Sequence, residues 1–320
     1  MRPLPESLRA GVFTRHQARK LGVTDRQFDG PALVRVFPRV YRSAEHTMSD
    51  SDWINAAMLA LPANAHLTGI SRIQKLGLDF GPRRPIRFVV AGDLHLRIDG
   101  IFLHRTKALP PLDEHGVAPA AAFIAYCSRA RVIDAIKVGD WLLHEGHLTL
   151  DAVRALALSA TWRDGAHEAV WMLDHLDGRS RSLKESETRA ILDFAGLPRV
   201  EVNAQVDVNE EVVVIGDLVY RPWTVVVEYE GRQHQEDRAR YVADLDRYAL
   251  MRAANVPYVQ VTQEKLGHAQ TLVGEVYRAL LTRGYDGPTP TFGDRWRQLF
   301  LPVSTAVGPR LSRIRDRSAG

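Results

Sequence analysis

A run of branched apolar residues that ends in acidic ones constrains this chain most. Residues 212–231 have the sequence VVVIGDLVYRPWTVVVEYEG, two valine-rich segments separated by YRPW. Such segments predict two buried β-strands joined by a short turn. Burying a carboxylate without a partner costs several kcal/mol, about 2–7 for a polar group and more for a charged one. Acidic residues at the end of a buried strand therefore indicate that a cation belongs there.

The register of this hairpin decides whether the acidic residues meet. With residues 220–223 as the turn, we expect Asp217 to face Val226 across the ribbon. Side chains alternate with a period of two, so Asp217, Glu228 and Glu230 then share one face. A slip of one residue would send Asp217 to the other face.

Three neighbouring carboxylates do not all ionise readily without a counter-charge. Their hard oxygens favour Mg²⁺ or Mn²⁺, which can activate water and polarise a phosphodiester. Nearby arginines are suited to holding a nucleic-acid backbone: Arg232, Arg238, Arg240 and Arg247. The alternative is that the carboxylates are solvated or paired with these same arginines.

Composition narrows the class of protein. The chain has 320 residues, which is long enough for two or three domains, and a single cysteine, Cys127. The cysteine count excludes an internal disulfide framework and fits a reducing compartment. The start lacks the apolar segment of a signal peptide, and no apolar run has membrane-spanning length, so we expect a cytoplasmic protein that contacts no membrane.

The two ends of the chain are basic. Residues 1–45 carry nine Lys and Arg against four Asp and Glu, and the last thirty carry six Arg against two Asp. Basic ends are compatible with nucleic-acid binding, and equally with solubility alone.

The N-terminal pattern predicts two short helices followed by a hairpin. Residues 11–22 form the first predicted helix, with Thr14 as its N-cap and Gly22 as its stop, and Thr24 caps the second. A β-rich hairpin with Pro38 at its turn follows.

This order is that of a winged helix, whose second helix enters the DNA major groove. Arg26 and Gln27 would lie near the N-terminal end of that helix and contact DNA. The alternative is a small helical cap that binds nothing.

A family resemblance supports the winged helix. The stretch GVFTRHQARKLGVTDRQFDG, continued by LVRVFPRVYR, resembles the N-terminal winged-helix domain of AbiEi-type antitoxins from type IV toxin–antitoxin systems. Members usually carry glycine before the VY of the wing, where this chain has Arg39. The resemblance implies DNA binding and a toxin or other protein as partner.

Residues 46–178 predict helices around two strands, RRPIRFVVAG and LRIDGIFLHR, and resemble the middle region of the same proteins. Asp134, Asp140 and His144 lie at helical spacing, which is compatible with a metal site. The simpler interpretation is that these are exposed or paired helix residues.

The C-terminal part begins after a polar linker at 177–182. Ser182 is placed to cap a helix and form a capping box with Glu185, and Gly196 ends that helix. The predicted order is helix, strands, helix, strand, helix, which is an α/β sandwich around a short sheet. Residues 284–320 are expected to form a loosely ordered tail.

This part resembles the PD-(D/E)XK nucleases, and more narrowly the very-short-patch-repair-like endonucleases, over about residues 180–282. The shared motifs are SLKESETRAILDFAGLP, VVVEYEG followed by RQH, and DLDRYALMRAANVPYVQVT. The resemblance implies that Asp217 and Glu228 are the principal metal ligands. Glu230, in the position where many of these nucleases have lysine, would position or deprotonate the attacking water.

The resemblance also assigns roles to three residues outside that pair of strands. His234 would donate to a phosphate oxygen or transfer a proton. Glu185 would reach the metal through water; the alternative is an ion pair with Arg189, four residues on. Arg247 would contact the substrate phosphate; the alternative is an ordinary arginine on a helix surface. Arg232, beside the carboxylates, would contact the nucleic-acid backbone through its charge.

The sequence thus predicts an α+β multi-domain protein with a winged helix, a mixed α/β middle module and a PD-(D/E)XK-like core. The predicted segments are 1–45, 46–178, 179–283 and a basic tail at 284–320. The predicted function is Mg²⁺- or Mn²⁺-dependent DNA endonuclease. No lysine lies between Lys184 and Lys265, so a DNA-binding regulator or antitoxin with a catalytically silent nuclease-like domain is the alternative.

Overall fold

The fold is mixed α+β, as the sequence predicts. A computed structural model of the protein describes residues 3–207, 213–230 and 249–308. Within these ranges, no helix is both long enough and apolar enough to cross a membrane.

Contacts group the chain into two compact units, Met1–Ala125 and Tyr126–Gly320. The boundaries predicted after residues 45, 178 and 283 each fall inside one of these units. The four-part division therefore stays a prediction.

The first unit begins with two short helices and a three-stranded sheet of order β1-β3-β2. The elements are β1 (Val12–Thr14), α1 (Arg15–Lys20), α2 (Asp25–Phe28), β2 (Leu33–Phe37) and β3 (Val40–Ser43). The Thr14 hydroxyl accepts the Gln17 N–H at 3.1 Å, which confirms the predicted cap. The residues before this cap, which were part of the predicted helical segment 11–22, are not helical, because Val12–Thr14 pair with β3.

The turn between β2 and β3 holds Arg39 in an unusual conformation. Its φ of 63° lies in the left-handed region that favours glycine. The side chain of Arg39 is exposed. The turn therefore forms with arginine where the antitoxin-like wing usually has glycine, at a conformational cost.

The rest of the first unit packs against the β2–β3 hairpin, the predicted wing. Its elements are α3 (Asp50–Ala60), β4 (Ala65–Leu67), α4 (Gly69–Lys75), β5 (Ile86–Ala91), β6 (Ile101–Thr106), β7 (Leu112–Asp113), β8 (Gly116–Val117) and the start of α5 (Pro119–Cys127). Phe37 and Val40 of the wing share one buried core with Ile54, Leu67 and Phe88. The strands β5 and β6 are parallel, and β4, which sequence analysis missed, runs antiparallel to β5.

The second unit combines helices with a four-stranded sheet of order β12-β11-β10-β9. The helices are α6 (Val132–His144), α7 (Leu150–Ser159), α8 (Ala166–Met172), α9 (Leu183–Phe194), α10 (Gln263–Gly267), α11 (Ala269–Thr282), α12 (Asp294–Gln298) and α13 (Val303–Val307). The strands are β9 (Glu201–Asp207), β10 (Val213–Tyr220), β11 (Val225–Tyr229) and β12 (Tyr258–Val261). The strands β9, β10 and β11 are mutually antiparallel, whereas β11 and β12 are parallel.

The predicted register of the β10–β11 hairpin is wrong by two residues. Leu218 pairs with Val227 and Val219 pairs with Val226. The turn is a 3-10 segment, Arg221–Trp223, followed by Thr224 with a φ of 50°, so it starts one residue later than expected. A shift of two preserves the face of every side chain because the period is also two.

The last described segment is not a loose tail. Trp296 and Leu299 are buried. The Leu299 carbonyl accepts the Ile133 N–H at 2.9 Å, and the Ala130 carbonyl accepts the Val303 N–H at 2.9 Å. The expectation of a loosely ordered tail is therefore wrong for residues up to 308, which pack on α6.

We predict that Arg39→Gly stabilises the protein. A non-glycine residue in the left-handed region costs about 1–2 kcal/mol, so replacing Arg39 with glycine removes this strain. Glycine also has more conformational freedom in the unfolded chain, which lowers the stability gained by about 0.4–1 kcal/mol. The free energy of unfolding should rise by up to about 1 kcal/mol in denaturant titration. Arg35→Gly, at an exposed β2 position, is the matched control and should lower it; equal effects of the two changes would contradict the prediction.

Candidate functional site

The acidic residues predicted to act together lie at one end of the four-stranded sheet. The carboxylate of Asp217 accepts the Tyr229 N–H at 2.8 Å, and Glu228 Oε1 lies 3.4 Å from the Asp217 N. Tyr229 lies between Glu228 and Glu230 in the chain, and the Glu230 N–H donates to the Val261 carbonyl at 2.8 Å. The parallel strands β11 and β12 both end here. Asp217 and Glu228 are thus in contact, and the main chain of Glu230 follows directly after the end of β11.

Regular pairing of β10 and β11 stops just before Asp217 and Glu228. The last paired residues are Leu218 and Val227. Beyond them each side chain bonds to the main chain of the other strand: the Asp217 N–H donates to Glu228 Oε1, and the Tyr229 N–H donates to the Asp217 carboxylate. The prediction that Asp217 faces Val226 is wrong, because Val226 pairs with Val219.

Glu228 is buried, with 1% of its surface exposed. A buried carboxylate needs hydrogen bonds, a cationic group or a metal ion to balance its charge. Asp217 and Glu230 are partly exposed, so the cluster extends from the interior towards solvent.

Space beside Glu228 depends on Gly216. A Cβ added there would lie 2.8 Å from Val226 Cγ1, 2.9 Å from Val219 Cγ2 and 3.5 Å from Glu228 Oε1. The first two distances are shorter than real Cβ contacts allow. Glycine is therefore required for the close approach of the two strands next to the acidic cluster.

Asn203 lies opposite Asp217 on the neighbouring strand β9 and forms a hydrogen bond with Glu185. The pairs Gly216–Ala204 and Leu218–Val202 place Asn203 opposite Asp217 in the β9–β10 register. The Asn203 amide donates to Glu185 Oε2 at 2.8 Å, and its backbone φ is 47°. Sequence analysis missed this residue. An asparagine within a strand pattern, a residue type that tolerates left-handed geometry, was the available signal.

Glu185 is held by two donors and does not close the predicted capping box. Its Oε2 accepts the Arg181 N–H at 2.9 Å as well as the Asn203 amide. The Ser182 hydroxyl does accept the Glu185 N–H at 3.1 Å, as predicted. Its proposed role of reaching a metal through water stays a prediction.

Arg189 does not form the ion pair with Glu185 that was the alternative to a metal-linked role for this glutamate. Its Nη2 donates to Asp140 Oδ2 at 2.7 Å and to the His175 carbonyl at 2.9 Å. Asp140 is fully buried and also accepts the Asp177 N–H at 2.7 Å. Burial raises the pKa of Asp140, and Arg189 opposes that rise.

The partners of Asp134, Asp140 and His144 favour the paired interpretation over a metal site. Arg131 donates to Asp134 Oδ2 at 2.7 Å, and His144 Nδ1 lies 3.2 Å from the Gly178 carbonyl. With Asp140 held by Arg189, each of the three already has its own partner.

The chemistry of the acidic cluster fits a hard divalent cation. In the described ranges, no group of three or more His, Cys, Asp and Glu side chains is arranged to hold a metal ion. Mg²⁺, however, commonly binds through one or two carboxylates and completes its coordination with water and substrate phosphate. Asp217 and Glu228 supply such a pair.

Several predicted site residues lie outside the described residues: Arg232, His234, Arg238, Arg240 and Arg247. Their assigned roles stay predictions.

The structure distinguishes the two residues predicted to contact DNA. Arg26 is exposed, whereas Gln27 is buried and its Oε1 accepts the Thr24 N–H at 3.0 Å in a capping box. Gln27 thus has a structural role in α2. Asp25 accepts hydrogen bonds from Arg19 and Arg15, which lower its pKa, so the negative charge at the start of α2 is balanced.

Comparison with models of known protein families, with curated proteins and with solved structures gave no match.

We predict that Gly216→Ala destabilises the protein. The new methyl group would overlap Val219 and Val226, and overpacking of this kind costs about 1–3 kcal/mol. Gly274→Ala is the matched control, since a Cβ there meets nothing within 4 Å and the residue is inside α11. The control should raise the free energy of unfolding by about 0.5–1 kcal/mol. A loss in both variants, measured by denaturant titration, would contradict the packing argument.

Proposed function

We propose that the protein is a divalent-metal-dependent endonuclease that hydrolyses phosphodiester bonds in DNA. The observation that carries the proposal is the contact between Asp217, inside β10, and the buried Glu228 near the end of β11, where Glu228 Oε1 lies 3.4 Å from the Asp217 N. Ligand sites in open α/β sheets commonly lie beyond the carboxyl ends of strands, and Glu228 and Glu230 are at that end of β11.

The order of elements around the cluster supports the proposal. The second unit has α9, then antiparallel β9, β10 and β11, then helical residues 249–253, and then β12 parallel to β11. This is the order of helix, strands, helix and strand predicted from the sequence pattern. The resemblance to PD-(D/E)XK nucleases assigns metal binding to Asp217 and Glu228, which are in contact.

The residues of the cluster can be given separate tasks. Asp217 and Glu228 would hold the ion, and the Tyr229 N–H fixes the orientation of the Asp217 carboxylate. When bound, a divalent ion would polarise the phosphodiester and neutralise charge that develops on its oxygens. Glu230, partly exposed at the end of β11, would accept a proton from the attacking water. Cleavage would leave 3′-hydroxyl and 5′-phosphate ends.

A second candidate function is a DNA-binding regulator, of the antitoxin type, whose nuclease-like unit is catalytically silent. The observation that favours it is the absence of lysine between Lys184 and Lys265. Lysine is the residue that many of these nucleases place at the position of Glu230, where its charge helps to stabilise the transition state. A toxin partner is part of this candidate and follows only from the resemblance.

The winged helix would bind DNA in both candidates. Arg26 is exposed in α2, and Lys20, Arg35 and Arg39 are exposed nearby in sequence. We leave Gln27 out of the proposed contact set because it is buried and bonded within its own cap.

We predict that the protein nicks or linearises plasmid DNA in Mg²⁺ or Mn²⁺, and that a chelator abolishes cleavage. Asp217→Asn and Glu228→Gln each remove a ligand charge while keeping the side-chain shape. Because a metal ion contributes several kcal/mol to such a reaction, each variant should lose at least about a hundredfold in rate.

Glu201→Gln is the matched control for cleavage. Glu201 lies on β9 in an exposed ion pair with Arg221, so this variant should retain activity. If the wild type binds DNA but cleaves no substrate with either metal, the silent regulator replaces the nuclease. Calorimetric titration with Mn²⁺ provides an independent test, because a protein that binds no Mn²⁺ has no metal site.

We predict that Arg26→Ala weakens DNA binding in gel-shift titrations and reduces the slope of log affinity against log salt by about one. The loss of one phosphate contact is the physical reason. Arg154→Ala, an exposed arginine on α7, is the control and should leave both quantities unchanged. Equal behaviour of the two variants would exclude α2 from the DNA interface.

A further inference from the structure

A cavity of about 390 Å³ lies in the first unit. It is bounded by the start of α3, the end of α4 and the segment that leads into β5. Three basic residues line it, Lys75, Arg83 and Arg84, together with Trp53. Its volume is in the range of small-molecule sites, which is about 300–1,000 Å³.

Two of the three cations have no carboxylate partner in the described part of the chain. Lys75 Nζ lies 3.4 Å from Ser51 Oγ and 3.3 Å from Asn55 Oδ1, which are neutral oxygens. The Arg84 guanidinium lies 3.7 Å over the centroid of the Trp53 ring. Both charges are therefore available to an anion, and the contacts with neutral groups hold the two side chains in place.

Arg83 has a different role. It pairs with Asp50 at 3.0 Å and also with Asp79, so two carboxylates balance its charge. Asp50 is the acidic residue that lines the cavity, and its negative charge is balanced by Arg83. The uncompensated charge of the cavity is therefore positive and comes from Lys75 and Arg84.

The position of Arg84 favours one kind of anion. A planar guanidinium is a platform on which nucleic-acid bases stack, and it also forms paired hydrogen bonds with phosphate. Arg84 is exposed and has Trp53 on one side, which leaves its other side towards solvent. Lys75 adds a point charge from α4 that suits phosphate.

We propose that this cavity binds a nucleotide, with its phosphate between Lys75 and Arg84 and its base stacked on the Arg84 guanidinium. The nucleotide is either free or the phosphorylated end of a nucleic-acid strand. The site shares no residue with the acidic cluster of the second unit or with the winged-helix residues proposed to contact DNA.

The test is calorimetric titration of the full chain with a nucleoside 5′-monophosphate, with the matching unphosphorylated nucleoside, and with a short single-stranded oligonucleotide carrying a 5′-phosphate. We expect the monophosphate to bind and the nucleoside to bind at least about tenfold more weakly, because the charge-assisted contacts are lost. Because other parts of the protein are proposed to bind DNA, the oligonucleotide is compared with the same strand carrying a 5′-hydroxyl, in the wild type and in Arg84→Ala. A preference for the 5′-phosphate that is lost in Arg84→Ala would identify a strand end as the ligand; monophosphate binding without such a preference would identify a free nucleotide.

Variants of cavity residues, compared with control variants elsewhere in the unit, test whether the ligand binds in the cavity. Lys75→Ala and Arg84→Ala should each weaken monophosphate binding about tenfold or more. Lys107→Ala and Arg97→Ala, at exposed positions of the same unit, should leave it unchanged. Quenching of tryptophan fluorescence by the ligand should be lost in Trp53→Phe, and circular dichroism checks that each variant is folded.

Three results would overturn the proposal. They are the absence of monophosphate binding, equal affinities in the cavity variants and their controls, and an oligoglutamate peptide that binds more tightly than the monophosphate. Asp217→Asn should bind the monophosphate normally, so failure of this proposal and failure of the nuclease proposal can be told apart.

Discussion

The hydrogen bond from the Tyr229 N–H to the Asp217 carboxylate is the contact on which the arrangement of the acidic cluster depends. The regular pairing of β10 and β11 ends here, and the Tyr229 N–H donates to the Asp217 side chain instead of to a main-chain carbonyl of β10. The bond fixes Asp217 relative to the residues on either side of Tyr229. Two carboxylates on neighbouring strands are therefore held without help from a loop, and the proposed metal site depends on this rigid placement.

Local signals in the sequence predicted much of the fold. Thr14 and Ser182 cap the helices expected of them, because an N-cap depends only on residues within one turn. The valine runs predicted β10 and β11 for a similar reason. The hairpin itself was predicted, although its register was wrong by two residues.

Features set by distant contacts were not predictable in the same way. The partner of Arg189 is Asp140, on another helix and far away in the sequence, whereas the pattern offered only Glu185 on the same helix. The short strand Val12–Thr14 has its pairing partner in β3, so its own residues carry too little information to distinguish it from a helix start. Asn203 became a candidate only through its position opposite Asp217.

The return of the chain to α6 after α11 has a consequence for how such a protein can evolve. The main chain around Leu299 and Val303 bonds to Ile133 and Ala130, near the beginning of the second unit. Main-chain hydrogen bonds thus join the beginning of α6 to α12 and α13, the last helices that the structure describes, and the sheet lies between them in the sequence. A gene fusion that included only the sheet and its flanking helices would lack these hydrogen bonds. We therefore expect the unit to be inherited as a whole.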